Sequence, residues 1–174
     1  MRRLTTSILA LSFTLLTTTQ LSAQEVIRKV ENVVVKNLEG NAAKIPHWGE
    51  KNLMIFYIDP DRAGQNQEFT YELERSKRAE GENLVGMGIM NLKDAPFIPN
   101  GLARRMALKR TEKNGATVLS DEGNILSNEW KLGNCNNMFV VLMINRAGEI
   151  VFIKKGELSE TDKEEFYEVI DLMK

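Results

Sequence analysis

The pattern of apolar and polar positions predicts buried strands that alternate with amphipathic helices. Residues 53–58, LMIFYI, are an unbroken apolar run of strand length, which is typical of a strand buried on both faces. Gly86 and Gly88 interrupt a later apolar run and indicate close packing there. Further strands are predicted at residues 31–37, 84–90, 116–119, 139–144 and 150–154.

Helical spacing predicts four helices, at about residues 65–79, 101–112 and 125–132 and after Ser159. The last is the clearest, because Ser159 and Asp162 have the spacing of a capping box. Its apolar positions fall on one stripe, made of Phe166, Val169, Ile170 and Met173. The element order β, β, α, β, α, β, short α, β, β, α predicts a three-layer α/β sandwich with a mixed sheet.

The first 23 residues have the layout of a bacterial export signal. Arg2 and Arg3 precede the apolar stretch 8–16, and Ala23 ends a segment suited to cleavage. The apolar stretch is too short to span a bilayer comfortably, so stable membrane insertion is not expected after cleavage. The sequence therefore predicts a signal peptide, residues 1–23, and a single domain, residues 24–174, in the periplasm or secreted.

The charge balance gives no electrostatic case for binding nucleic acid. Residues 1–23 carry two arginines and no acidic residue, so cleavage leaves 21 of the 23 basic side chains against 24 acidic ones. A nucleic-acid surface needs a basic excess instead. We expect no nucleic-acid partner.

Cys135 is the only cysteine and His47 the only histidine. Neither an intrachain disulfide nor a dithiol redox cycle can form with one thiol. A zinc site needs more soft ligands than these two side chains supply. No metal and no other cofactor is therefore expected.

The last third of the chain, from TVLSDEGNILSNEW to GELSETDKEEFYEVIDLM, is similar to periplasmic thioredoxin-like and peroxiredoxin-like proteins. The shared run is a short strand, Asp, a helix with Trp, an apolar strand, a turn with Gly, a strand and a helix. The segment from Asn91 through Leu172, with NLKDAPFIPNG and NRAGEIVFIKKGELSE, resembles the YtfJ group of exported proteins. The resemblance implies a thioredoxin-like α/β/α sandwich with a mixed central sheet, and no particular activity.

The residues depart from the thioredoxin pattern at both redox positions. In thioredoxin-fold enzymes the reactive cysteine follows the first strand of the βαβ half, at a helix N-terminus that stabilises thiolate. The corresponding stretch, 59–66, has no cysteine, and residues 133–139, where a cis-proline is usual, have no proline. We therefore expect no dithiol oxidoreductase activity.

The loop FYIDPDRAGQNQEF, residues 56–69, supports two interpretations. Asp59, Pro60 and Asp61 suit a turn that caps the next helix, which is the favoured interpretation. The alternative is a metal-dependent phosphohydrolase in which Asp59 attacks phosphorus and Asp61 handles protons. Ala63 stands where such enzymes usually have Thr or Val, and no later acidic motif for Mg²⁺ is present.

Cys135 leaves a third hypothesis open. Its polar segment is expected beside the Asp59 loop, so a single-cysteine thiol enzyme, or a disulfide to a partner, is geometrically feasible. However, no activating Lys, His or helix N-terminus is evident in the sequence around it. A plain small buried residue is the favoured interpretation.

The sequence thus favours an exported, non-redox, thioredoxin-fold binding or accessory protein rather than an enzyme. Its partner would be a protein, a peptide or a small ligand. The predicted groove lies between the loops 59–66 and 95–100 and the segment 134–138, because the fold gathers them at one end of the sheet. The candidate site residues are Asp59, Pro60, Asp61, Asn66, Pro96, Pro99 and Cys135.

Overall fold

The computed structural model describes residues 25–95 and 98–174, except for the side chains of residues 113 and 114. The predicted export signal and its cleavage site lie outside the described residues, as does Pro96. In the described part of the chain, no helix combines the length and the apolar character needed to cross a membrane.

The structure is built on one eight-stranded mixed sheet. Its strands are β1 (Arg28–Lys29), β2 (Val34–Lys36), β3 (Ala42–Lys44), β4 (Asn52–Ile58), β5 (Leu84–Asn91), β6 (Val118–Asp121), β7 (Phe139–Ile144) and β8 (Glu149–Lys155). Their order across the sheet is β1-β8-β7-β4-β5-β6-β2-β3. The strands β4, β5 and β6 run parallel, and β7 pairs antiparallel with β4. The predicted mixed sheet is confirmed.

Helices cover both faces of this sheet. They are a 3₁₀ helix (Pro60–Arg62), α1 (Gln67–Ser76), α2 (Asn100–Asn114), α3 (Ile125–Glu129) and α4 (Glu160–Met173). On one face, Phe69 of α1 and Phe166 of α4 pack in one core with Met54 of the sheet. On the other face, Leu126 of α3 shares a core with Tyr57. The predicted three-layer α/β/α sandwich is confirmed.

The structure differs from the sequence prediction at the sheet edges and at two loops. The short strands β1 and β3 were not predicted, because RK and AAK carry no apolar alternation and pair only through their partners. The first helix begins at Gln67, since Asn66 adopts a left-handed φ of 61°. Strand β6 extends to Asp121, which the sequence placed in a turn.

A capping box starts α4, as predicted. The Ser159 hydroxyl accepts a hydrogen bond from the Asp162 N–H at 3.2 Å, and the Ser159 N–H donates to Asp162 Oδ2 at 2.9 Å. Lys154 Nζ lies 2.7 Å from Asp162 Oδ1. The Lys154 ammonium and the Ser159 donors lower the pKa of Asp162 to about 2. The fold therefore favours the ionised carboxylate.

We expect Asp162→Asn to lower the free energy of unfolding by about 1 kcal/mol at pH 6, because the box and the ion pair weaken together. A carboxylate with a depressed pKa stabilises the fold above its unfolded pKa near 3.8. The difference between wild type and variant should therefore shrink as the pH falls from 5 to 2 in urea titrations.

Glu165→Gln is the matched control, because Glu165 Oε2 also contacts Lys154, at 2.9 Å, without joining the capping box. We expect it to change the free energy of unfolding by no more than about 0.5 kcal/mol. A pH-independent effect of Asp162→Asn would contradict the electrostatic explanation.

Candidate functional site

Asp59, directly after β4, is fully buried and holds the loop together. Its Oδ1 accepts a hydrogen bond from the Asp61 N–H at 2.9 Å, which caps the 3₁₀ helix. Its Oδ2 accepts from the Asn137 N–H at 2.8 Å, and its own N–H donates to the Met138 carbonyl at 3.1 Å. Asp59 therefore joins its loop to the segment that precedes β7.

The other predicted loop residues have separate positions. Pro60 begins the 3₁₀ helix and is half-buried, while Asp61 is exposed. Asn66 donates from Nδ2 to the Gly156 carbonyl at 2.8 Å and accepts from the Leu158 N–H at 2.9 Å. Asn66 thereby fixes the loop to the connection between β8 and α4.

Cys135 lies inside the core on the α3 side of the sheet, with 2 % of its surface exposed. Its Sγ donates a weak hydrogen bond to the Gly133 carbonyl at 3.5 Å. Burial raises the pKa of the Cys135 thiol, and Asp94 and Asp121 raise it further against the opposing effect of Lys155. The environment thus disfavours the thiolate.

Asp121 is a buried carboxylate whose role the sequence interpretation missed. Its Oδ1 accepts from the N–H groups of Gly123 and Ile125, each at 2.9 Å, and its Oδ2 accepts from the Leu126 N–H at 2.9 Å. The Tyr57 hydroxyl donates to Oδ2 at 3.2 Å. Burial and the Asp121 charge raise the pKa of Tyr57. The signal was the DEGN turn before a helix, where an Asp can cap N–H groups.

A second polar cluster ties the loop after β5 to the start of α3. Asp94 accepts from Asn91 Nδ2 at 2.7 Å and from Asn124 Nδ2 at 3.2 Å. Pro99 is exposed just before α2, and its carbonyl accepts hydrogen bonds from the N–H groups of Leu102 and Ala103 in the first turn of that helix. Across residues 25–95 and 98–174, no group of three or more His, Cys, Asp or Glu side chains could hold a metal ion.

A cavity of about 420 Å³ lies between α2 and the sheet. Phe56, Gly88 and Val118 line it from the strands, and Ala103 and Ala107 line it from α2. Among the described lining residues, Pro60, Ala63 and Ile98 come from two of the three predicted segments, and none comes from 134–138. The sequence predicted that the segment 134–138, which contains Cys135, would form one wall of the groove. In the structure, the helix α2 forms that wall instead.

Gly88 leaves part of this space free, whereas Gly86 on the same strand is closely packed. A Cβ at Gly86 would lie 2.7 Å from Met54 Cε, so the close packing predicted there is confirmed. A Cβ at Gly88 would meet nothing nearer than Val118 Cγ2 at 3.5 Å, so the sheet beneath the cavity carries no side chain at this point. The two glycines were evident in the sequence, but close packing was predicted at both, whereas only Gly86 is closely packed.

Comparison with known proteins identifies the fold. No protein-family model matches the chain, and no curated protein sequence matches it either. The solved structures that match include a peroxiredoxin-like protein from Aquifex aeolicus, with 14 % identity, a TM-score of 0.58, and coverage of 86 % of this chain and 88 % of that one. The chain has a thioredoxin-like fold.

Two further thioredoxin-like structures show the range of the similarity. A candidate protein disulfide isomerase from Bacteroides thetaiotaomicron matches with 14 % identity and a TM-score of 0.58, covering 86 % of this chain and 89 % of that one. An exposed lipoprotein thioredoxin from Streptococcus pneumoniae matches with 11 % identity and a TM-score of 0.53, covering 80 % and 99 %. Similarity at this level of sequence identity establishes the fold only, so the function must be inferred from the residues of the site.

Within this thioredoxin-like fold the thiol and the cavity lie on opposite faces of the sheet. Cys135 packs with Tyr57 and the α3 helix. The cavity opens on the face of Phe56, Ile58 and α2, since alternate side chains of β4 point to opposite faces. Any ligand in the cavity is therefore separated from the thiol by the sheet.

Proposed function

We propose that this chain is an exported thioredoxin-like protein that works by binding a protein, a peptide or a small ligand, and not by thiol–disulfide exchange. The burial of its only cysteine carries this proposal. Cys135 is 2 % exposed and belongs to the core that includes Tyr57 and Leu142. The Cys135 side chain thus packs in the core as a small apolar side chain would.

Thiol–disulfide exchange has two requirements that bear on Cys135. The attacking species is a thiolate, and the substrate sulfur must approach it along a free path. Burial raises the pKa of the Cys135 thiol and also blocks approach to Sγ. These two properties favour binding over a single-cysteine thiol enzyme.

The geometry of Asp59 favours binding over phosphohydrolase chemistry. An attacking carboxylate needs an accessible oxygen aimed at phosphorus. Asp59 has no exposed surface, and each of its oxygens accepts a backbone N–H group. Asp61 is exposed, but its N–H serves to close the turn. The two carboxylates are therefore better explained as loop structure.

Export is part of the same proposal. The layout of residues 1–23 supports it, and thioredoxin-like structures similar to this chain include an exposed lipoprotein. Fractionation of the producing bacterium should recover a form that begins at Gln24 outside the cytoplasm. Recovery of only full-length cytoplasmic protein would contradict export.

We expect Cys135 to react slowly with thiol reagents in the native protein. At pH 7.5, alkylation by iodoacetamide should be at least ~100-fold slower than in the unfolded protein, because the thiol must first be exposed by local opening. Since burial raises the pKa of the Cys135 thiol above its ordinary value, the native rate should climb further at alkaline pH. Mass spectrometry of quenched samples measures both rates.

Turnover assays complete this test. Wild type should show no insulin reduction with dithiothreitol, and no peroxide consumption, beyond that of Cys135→Ala. Native alkylation as fast as in the unfolded protein, or turnover that Cys135→Ala abolishes, would overturn the proposed function.

A further inference from the structure

We propose that the cavity beneath α2 binds a fatty acid, that is, a free carboxylate with one hydrocarbon chain. This inference rests on the proposed binding function and names its ligand class. Arg110, at the cavity, would pair with the carboxylate, while the hydrocarbon chain would lie over Gly88 between the sheet and α2. The lining, the charge and the size of the cavity each support this assignment.

The lining favours a hydrocarbon chain over a peptide. Among the described residues that line the cavity, only Arg110 and Thr111 have polar side chains. Thr111 Oγ1 donates to the Leu108 carbonyl at 2.9 Å. A peptide would bury backbone N–H and C=O groups here with few partners, and each unpaired group weakens binding. An acyl chain has no such groups.

The charge on α2 favours an anionic end group. Arg104 pairs with Glu122, which is also held by Lys36 at 2.6 Å. In the part of the chain that the structure describes, Arg105 and Arg110 form no ion pair, and both are exposed. Arg110 alone of these two lines the cavity. An arginine beside an apolar cavity can hold a carboxylate through two parallel hydrogen bonds.

The size also suits this ligand class. A volume of about 420 Å³ lies within the range of small-molecule sites. The floor at Gly88 has no side chain, and the roof at Ala103 and Ala107 has only methyl groups. A linear chain can pack along such a surface, and larger side chains at these positions would fill it.

Calorimetric titration of the full chain with dodecanoate and with dodecanol, both below their solubility limits, tests the inference. We expect Arg110→Gln to weaken dodecanoate binding by about 10-fold or more and to leave dodecanol binding unchanged, because only the carboxylate pairs with arginine. Arg105→Gln, which removes the same charge from the same helix outside the cavity, should change either affinity less than about twofold.

A cavity-filling variant gives an independent measurement. We expect Ala107→Leu to weaken both ligands by about 10-fold, because the added carbon atoms occupy the space of the chain. Its thermal unfolding should show that it remains folded. Unchanged affinity in a folded Ala107→Leu protein would overturn the assignment to this cavity.

The remaining outcomes separate the inference from the proposed function. If dodecanol and dodecanoate bound equally well and Arg110→Gln had no effect, the anionic ligand class would be overturned. The proposed binding function would be unaffected. No binding of either ligand to wild type would overturn the inference alone. A further outcome is that the protein binds only to phosphatidylglycerol vesicles and that Arg105→Gln and Arg110→Gln weaken this binding equally. That result would overturn the inference and indicate that α2 contacts a membrane surface instead. Thiol-dependent turnover would overturn the proposed function whatever the ligand result.

Discussion

Replacing Asp121 by alanine is expected to lower the free energy of unfolding by about 3–5 kcal/mol. The carboxylate accepts hydrogen bonds from one backbone N–H group just before α3, from two in the first turn of α3, and from the buried Tyr57 hydroxyl. Removing it leaves the Leu126 N–H and the Tyr57 hydroxyl without their partner in a fully buried place, and the N–H groups of Gly123 and Ile125 without theirs nearer the surface. Denaturation by guanidinium, followed through the fluorescence of the tryptophans, measures the change, because Trp130 directly follows α3.

Glu122→Ala is a suitable control for Asp121→Ala. Glu122 is the next residue and is also acidic, but it is half-buried and pairs with Lys36 and Arg104 near the surface. Its loss should lower the free energy of unfolding by only about 1 kcal/mol. If Asp121→Ala had an effect as small as that, the buried carboxylate would not organise α3 as the hydrogen bonds indicate.

Replacing Asp59 by alanine is expected to lower the free energy of unfolding by about 2–3 kcal/mol. The variant loses the cap of the 3₁₀ helix and leaves the Asn137 N–H without its acceptor. A carboxylate placed for catalysis behaves differently, because strained active-site groups are often replaced with no loss, or with a gain, of stability. The sign of this change therefore distinguishes the structural role from the catalytic one.

Asp61→Ala provides the comparison for Asp59→Ala. Asp61 is exposed, and it serves the turn through its backbone N–H, which alanine retains. We expect its free energy of unfolding to stay within about 0.5 kcal/mol of wild type. Equal effects of the two substitutions, or a more stable Asp59→Ala protein, would count against the assigned role of Asp59.

The central part of the fold could be predicted from local sequence patterns. LMIFYI has the composition of a strand that is buried on both faces. The spacing of Ser159 and Asp162 indicates the start of α4. The edge strand β3 could not be predicted in this way, because its residues AAK pair through contacts with β2 that no local pattern encodes.

The candidate site was predicted less completely, for a related reason. The sequence correctly placed the segment of Asn137 beside Asp59. It did not indicate that Asp121 would reach Tyr57, which is 64 positions away in the chain. Nor could it indicate the cavity, which depends on how far α2 lies from the glycine at position 88. Such distances are set by tertiary packing rather than by motif.

The most direct test of binding on the α2 face, rather than at the thiol, is amide chemical-shift mapping by NMR during titration of the isotope-labelled protein with dodecanoate. We expect the largest shifts at Gly88, Ala103 and Ala107, which line the cavity, and none at Cys135 on the opposite face. Shifts centred on Cys135 and its neighbours, with the α2 signals unchanged, would contradict binding beneath α2.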